Sequence, residues 1–115
     1  MKALRFHAPG DVRLEDVPEP TCGPREVKIR VRNCSTCGTD VKIRNNGHVN
    51  ITRVTTMGHE IAGEVVEVGA EAKGGFSAGD RVQVIAAVPC GDCHECRKGW
   101  MEVCQNQTSV GYQYD

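Results

Sequence analysis

The sequence predicts a mainly β chain, folded as a barrel or sandwich of short strands. Three observations carry that expectation: runs in which apolar and polar residues alternate, Gly- and Pro-containing turns between them, and no long stretch of helical periodicity. Lys2–Phe6 and Val12–Glu15 alternate on either side of Pro9-Gly10-Asp11, a turn sequence, and so form an opening hairpin. Val17–Pro24 contains Pro18, Pro20 and Pro24, which lack the N–H that a central strand needs, so this segment is an extended connector. Glu26–Arg32 alternates without interruption, with Val27, Ile29 and Val31 on one face, and is the clearest strand. Glu60–Val68 is a second β region, in which Gly63 marks a bulge or a close backbone contact. After a Gly74-Gly75 tip, Gly79-Asp80-Arg81 turns the chain into a further strand, Val82–Val88. Only Asp40–Arg44 and parts of Cys93–Val103 read as helical.

A length of 115 residues suits one domain. Fourteen basic residues against fifteen acidic ones give a net charge of -1, with neither sign gathered into a block, which argues against nucleic acid or an anionic membrane as partner. The longest apolar stretch, Val84–Pro89, falls far short of the roughly 20 residues that a bilayer crossing takes. Met1–Pro9 breaks its apolar character at once, unlike a secretory signal, so the expected location is cytoplasmic. In that setting seven cysteines point to metal thiolates rather than disulfides.

Cys90, Cys93, Cys96 and Cys104 follow the spacing C-x2-C-x2-C-x7-C. Overlapping C-x2-C turns gather sulfurs with little chain to order, and four thiolates complete a tetrahedral zinc site that leaves no position for substrate. The site is therefore structural, and its lobe covers about residues 89–105. Bacterial ferredoxins also open with C-x2-C-x2-C, but there the fourth cysteine comes sooner and precedes a proline, whereas Gln105 follows Cys104. His94 lies between two thiolates and is not needed to fill the tetrahedron. Trp100 and Met101 are expected to cover the lobe or to meet a partner surface.

A second set of ligand types flanks the best strand. Cys34-Ser35-Thr36-Cys37-Gly38-Thr39-Asp40 follows it, and Gly58-His59-Glu60 precedes the next β region, so strand ends present sulfur, imidazole and carboxylate groups. A metalloprotease H-E-x-x-H reading fails, because Gly63 stands four residues after His59. Cys22 and Cys34 belong to neither set and are read as structural or incidental. His7 is read as a surface residue at a strand end.

Cys37-Gly38-Thr39-Asp40, Gly58-His59-Glu60-Ile61-Ala62-Gly63 with Gly69, and the four-cysteine lobe stand in the order seen in zinc-dependent medium-chain alcohol and polyol dehydrogenases, of the sorbitol and threonine dehydrogenase kind. The chain resembles their N-terminal part over essentially its whole length. The resemblance implies a GroES-like, partly open β-barrel with short helices, residues 1–115 forming an N-terminal fragment of the catalytic domain. It implies Cys37 and His59 as catalytic-zinc ligands, Glu60 as an additional or alternating ligand, and Thr39 as the hydroxyl on the substrate oxygen. Asp40 would orient His59 from behind. The activity implied is zinc-assisted hydride transfer from a small alcohol or polyol to NAD or NADP, in a homo-oligomeric parent enzyme.

Two departures qualify that expectation. Where many relatives carry a histidine of the proton relay, this sequence has Lys42, and His48 reads as an exposed loop histidine. No G-x-G-x-x-G follows a strand, so the Rossmann domain is absent from these residues and the chain alone is expected to be inactive. The competing reading is a stand-alone zinc-binding or interaction module without catalysis.

Overall fold

A computed structural model describes residues 1–113 of the chain. The expected hairpin forms: β1 (Lys2–Ala8) and β2 (Asp11–Asp16) pair antiparallel around a turn in which Gly10 takes φ 79°. Such a φ suits glycine, which has no Cβ to clash. The proline-rich connector leads without regular structure to β3 (Val27–Ser35), which α1 (Gly38–Asn46) follows. A short β4 (Thr55–Thr56) returns to the free edge of β1, opposite Arg5 and Phe6. β5 (Glu60–Val68) then runs antiparallel to β3.

The β3–β5 ladder departs from simple alternation. Its register shifts twice, between Lys28 and Ile29 and between Val31 and Asn33, and the second shift lies opposite Gly63. There a Cβ on Gly63 would stand 2.5 Å from the Arg30 carbonyl oxygen, so the backbones approach as only glycine allows. Bulges of this kind turn side chains off their expected face. Val31, expected to share a face with Val27 and Ile29, is 53% exposed while those two are half-buried.

The run Val82–Val88 is not one strand. Arg81–Val84 (β6) pairs with β5, and Ala87–Val88 (β7) pairs with β8 (Thr108–Ser109), so the chain changes sheet at Ile85–Ala86. Between β7 and β8 lie a short α2 (His94–Arg97) and a 3-10 turn, Met101–Val103, matching the helical expectation for this segment. Strand order is β2-β1-β4, β3-β5-β6 and β7-β8, with antiparallel pairing throughout. The molecule is mainly β, as expected, with its strands shared among three sheets.

The core is small and centres on Phe6, Ile43, Val65 and Thr55, which are nearly or fully buried. Ile43 joins α1 to it, which fixes the helix that carries Asp40. Asp40 is itself buried, an expensive place for a carboxylate without partners. A shallow apolar groove of about 280 Å³, lined by Val27, Ile29, Phe76 and Val82, opens on the β3–β6 sheet away from the cysteine-rich ends. No helix among the described residues is long and apolar enough to cross a membrane.

Candidate metal centres

Where β3 gives way to α1, Cys37 takes extended backbone angles (φ -122°, ψ -178°) and becomes the helix N-cap. Its Sγ accepts the Thr39 N–H at 3.3 Å, and its own N–H donates to Asp40 Oδ2 at 2.9 Å. This reciprocal pair is a capping box with sulfur in place of the usual hydroxyl, and it satisfies two donors that the helix leaves open. Cys37 and Asp40 are thereby held in fixed relation.

His59 arrives from the other side, just before β5, after Gly58 at φ 110°. Its Nε2 lies 3.2 Å from Cys37 Sγ, and its Nδ1 lies 3.4 Å from Asp40 Oδ1. The second contact is close enough for an ion pair but is not placed as a hydrogen bond, so Nδ1 is a buried nitrogen without a hydrogen-bond partner among the described residues. Imidazole ligands have this arrangement, one nitrogen toward the metal and the other toward a carboxylate. The donor set of sulfur, imidazole and carboxylate suits zinc, and the ligand atoms of Cys37, Asp40 and His59 all lie within 4.8 Å of one another.

Glu60 stands outside that cluster. It opens β5 opposite Ser35 and is exposed, because consecutive strand residues point to opposite faces and His59 takes the inward direction. Thr39 is exposed on the first turn of α1, next to Cys37. His48 is half-buried rather than a free loop histidine: its Nδ1 accepts the Asn50 N–H at 3.2 Å, and its ring lies 5.0 Å from that of Tyr112. Tyr112 in turn meets the His59 ring edge-on at 5.9 Å. The sequence reading did not single out Tyr112, and no local pattern marks it, since its partners come from distant segments. His7 also differs from the expected surface residue, for it is half-buried and bonds Glu15 at 2.8 Å.

The second centre lies in the lobe. Cys90, Cys93, Cys96 and Cys104 bring all four sulfurs within 4.8 Å of one another. Cys93 caps α2, and Gly91 and Gly99, at φ 75° and 84°, make the tight turns around it. The Cys93 N–H donates to Cys90 Sγ at 3.4 Å, and the Cys90 N–H to Cys104 Sγ at 3.3 Å. Sulfurs bound tetrahedrally to zinc at about 2.3 Å stand about 3.8 Å apart. The Cys90–Cys96 and Cys93–Cys104 sulfur pairs, at 4.0 and 3.9 Å, match that spacing, and all seven cysteines are free.

Two members of the lobe, exposed Cys90 and buried Cys96, differ electrically. The backbone N–H groups of Asp92 and then Cys93 hold the Cys90 thiol down to about 6. Burial, reinforced by the neighbouring Cys93, pushes Cys96 up to about 12. A buried thiolate is unfavourable without a cation, and a divalent ion is what the site needs to ionise completely. Cys22, Cys34 and His94 lie outside both clusters, as the sequence implied. Trp100 and Met101 lie on the outer surface of the lobe, with Lys98 Nζ 5.3 Å from the Trp100 ring.

An open, mainly β scaffold with two clusters of zinc-type ligands defines a metal-binding domain. Residues 23–113 match the alcohol dehydrogenase GroES-like domain, and the chain belongs to that family. It is 41% identical to an L-threonine 3-dehydrogenase of Serratia proteamaculans over 115 residues, covering 96% of this chain and 33% of that protein. The same enzyme from Salmonella newport is 42% identical, with the same coverage. The fold matches a Sinorhizobium meliloti chain classed as a zinc-binding dehydrogenase and solved with NADP, at TM-score 0.89 and 32% identity over 99% of this chain and 33% of that one. It also matches 2R,3R-butanediol dehydrogenase of Bacillus subtilis at TM-score 0.84 and 33% identity, over 98% of this chain and 34% of that one. The chain thus spans about a third of the length of the relatives it matches.

Proposed function

We propose that the chain is the metal-holding part of a zinc-dependent, NAD(P)-linked alcohol or polyol dehydrogenase. The observation that carries this reading is the meeting of Cys37 Sγ and His59 Nε2 at 3.2 Å with the Asp40 carboxylate behind the imidazole. Zinc held there supplies a Lewis acid that makes an alcohol oxygen easier to deprotonate near neutral pH, in preparation for hydride transfer to nicotinamide. Asp40 holds Cys37 through its N–H and stands 3.4 Å from His59 Nδ1, so one carboxylate is placed to orient both ligands. Thr39, one step along the helix from the sulfur, offers its hydroxyl to the substrate oxygen. Glu60, exposed at the start of β5, would be an additional or alternating ligand.

In this reading the four-cysteine lobe holds a second zinc, structural because its ligands close the tetrahedron. The 115 residues contain no G-x-G-x-x-G, so the nicotinamide site lies outside them. The location is cytoplasmic and the working enzyme a homo-oligomer. Cobalt(II) titration tests the reading through its thiolate absorption. Wild type is expected to load two sites, Cys93→Ser to lose the tighter and Cys37→Ser the weaker. Identical cobalt loading of Cys37→Ser and wild type rejects the assignment.

A further inference from the structure

On one side the segments bearing Cys37 and His59 are joined by the β3–β5 ladder, whose last rung pairs Ser35 with Glu60. His59 stands just before that rung, and Gly58 precedes it at φ 110°. A glycine joint gives the chain freedom to swing, so the tilt of the imidazole depends on what anchors the segment ahead of Gly58. The anchor is β1, which supplies no ligand and lies outside the residues 23–113 that match the family.

β1 holds that segment with backbone and side chain together. Arg5 and Phe6 pair with Thr56 and Thr55, and the Met57 N–H donates to the Leu4 carbonyl at 2.8 Å. β4 has only two residues, fewer than a strand usually has, so its ladder alone is a weak hold. The Arg5 guanidinium adds the rest: Nη1 donates to Thr56 Oγ1 at 2.7 Å and Nη2 to the Val54 carbonyl at 3.2 Å. Its donors are set in a rigid planar fork, so the two bonds fix the direction of the segment as well as its place. The turn of the same hairpin grips the element that carries Asp40. There the Gly10 N–H donates to the Arg44 carbonyl of α1 at 2.7 Å, and a Cβ on Gly47 would stand 3.4 Å from Pro9 Cγ. One hairpin therefore braces both sides of the Cys37–His59 cluster.

We infer that Arg5 is a positioning residue for His59: its two hydrogen bonds hold the segment entering Gly58, so that the imidazole is aimed at Cys37 before metal arrives. The inference rests on Cys37 and His59 forming a metal site, and the test separates the two claims. Without the fork, metal must itself order this segment, and that cost appears as lower affinity. Arg5→Met keeps an apolar stem and removes the donors, whereas Arg5→Lys keeps the charge without the fork. Each is titrated with cobalt(II) against a chelator, with Cys37→Ser and Cys93→Ser backgrounds to tell the two sites apart. Arg5→Met is expected to lose about tenfold in affinity at the Cys37–His59 site, the value of one hydrogen bond from a charged donor. Arg5→Lys should recover part of that loss, and the lobe should be unchanged in both. Lys2→Met removes a cation from the same strand and breaks the exposed pair with Asp16, and it should leave both sites unchanged. If Arg5→Met does not fold, Arg5→Lys decides alone, by a loss confined to the Cys37–His59 site or by none. Wild-type affinity there in the Arg5 variants overturns the assignment. So does a loss shared equally by the lobe, which general loosening would give, or an equal loss in Lys2→Met. Wild-type cobalt absorption that owes nothing to Cys37 overturns the underlying reading and this one with it.

Discussion

The lobe cluster is drawn from fifteen consecutive positions, Cys90 to Cys104, whereas the Cys37–Asp40–His59 cluster joins residues 22 positions apart on two elements. The first needs only its own turns to bring sulfur to sulfur. The second exists only where the β3–β5 register sets the start of α1 against the start of β5. Local closure gives a site that tolerates damage elsewhere; long-range closure gives one that reports it. Openness follows the same division, since four sulfurs fill a tetrahedron and a cysteine with a histidine do not.

Four measurements press on this contrast. Cys96→Ser should have the largest effect, lowering zinc affinity of the lobe by more than about 100-fold, beyond the 10–100-fold that outer partners contribute. Hydrogen exchange across β7, α2 and β8 should then quicken while the β1–β2 hairpin keeps its protection; uniform quickening would mean that the lobe is not autonomous. Ile43→Ala empties a site that is 1% exposed and should cost about 2–5 kcal/mol in urea unfolding. Because Ile43 seats α1, cobalt binding at Cys37 should weaken in the same variant and lobe binding should not.

Asp40→Asn is expected to weaken metal at the Cys37–His59 site about 10–100-fold, measured by competition with a chelator, leaving the lobe unaffected. The effect of pH on the lobe is read within a single site. Cys96, pushed up to about 12, keeps its proton at neutral pH, while Cys90, held at about 6, has largely lost its own. Zinc must therefore displace the Cys96 proton, and between pH 7 and pH 9 affinity should rise about tenfold per pH unit for each proton released. A flat profile would show that the ligands are already ionised.

Much of this was legible because the signals were local. Pro9-Gly10 marked a reversal, Gly63 a close approach, and the spacing from Cys90 to Cys104 a metal lobe, each within a few residues. What escaped depends on distant pairing. Val31 is exposed at the second register shift, where the ladder breaks just after it, and Val82–Val88 divides because Ala87–Val88 finds its partner in Thr108–Ser109. Glu60 follows His59 in sequence but lies exposed outside the cluster, whereas the place of Asp40 beside the imidazole is the one the resemblance implied. Cys37 gave no sign of capping a helix, since sulfur is an uncommon cap; the family resemblance marked it as a ligand, and the same atom does both.

Gly111 sits so tightly on the loop before His59 that a Cβ placed there would fall 2.0 Å from the Gly58 carbonyl oxygen and 3.2 Å from His59 Cβ. A hydrogen atom is all that fits. The turn bearing Tyr112 and the loop bearing His59 pack without spare room, and because that turn continues directly from β8, distortion of the lobe is expected to tilt an imidazole in the other cluster. Replacing Gly111 with alanine would wedge this joint open, letting the two ion sites drift independently while every ligand remained in the chain.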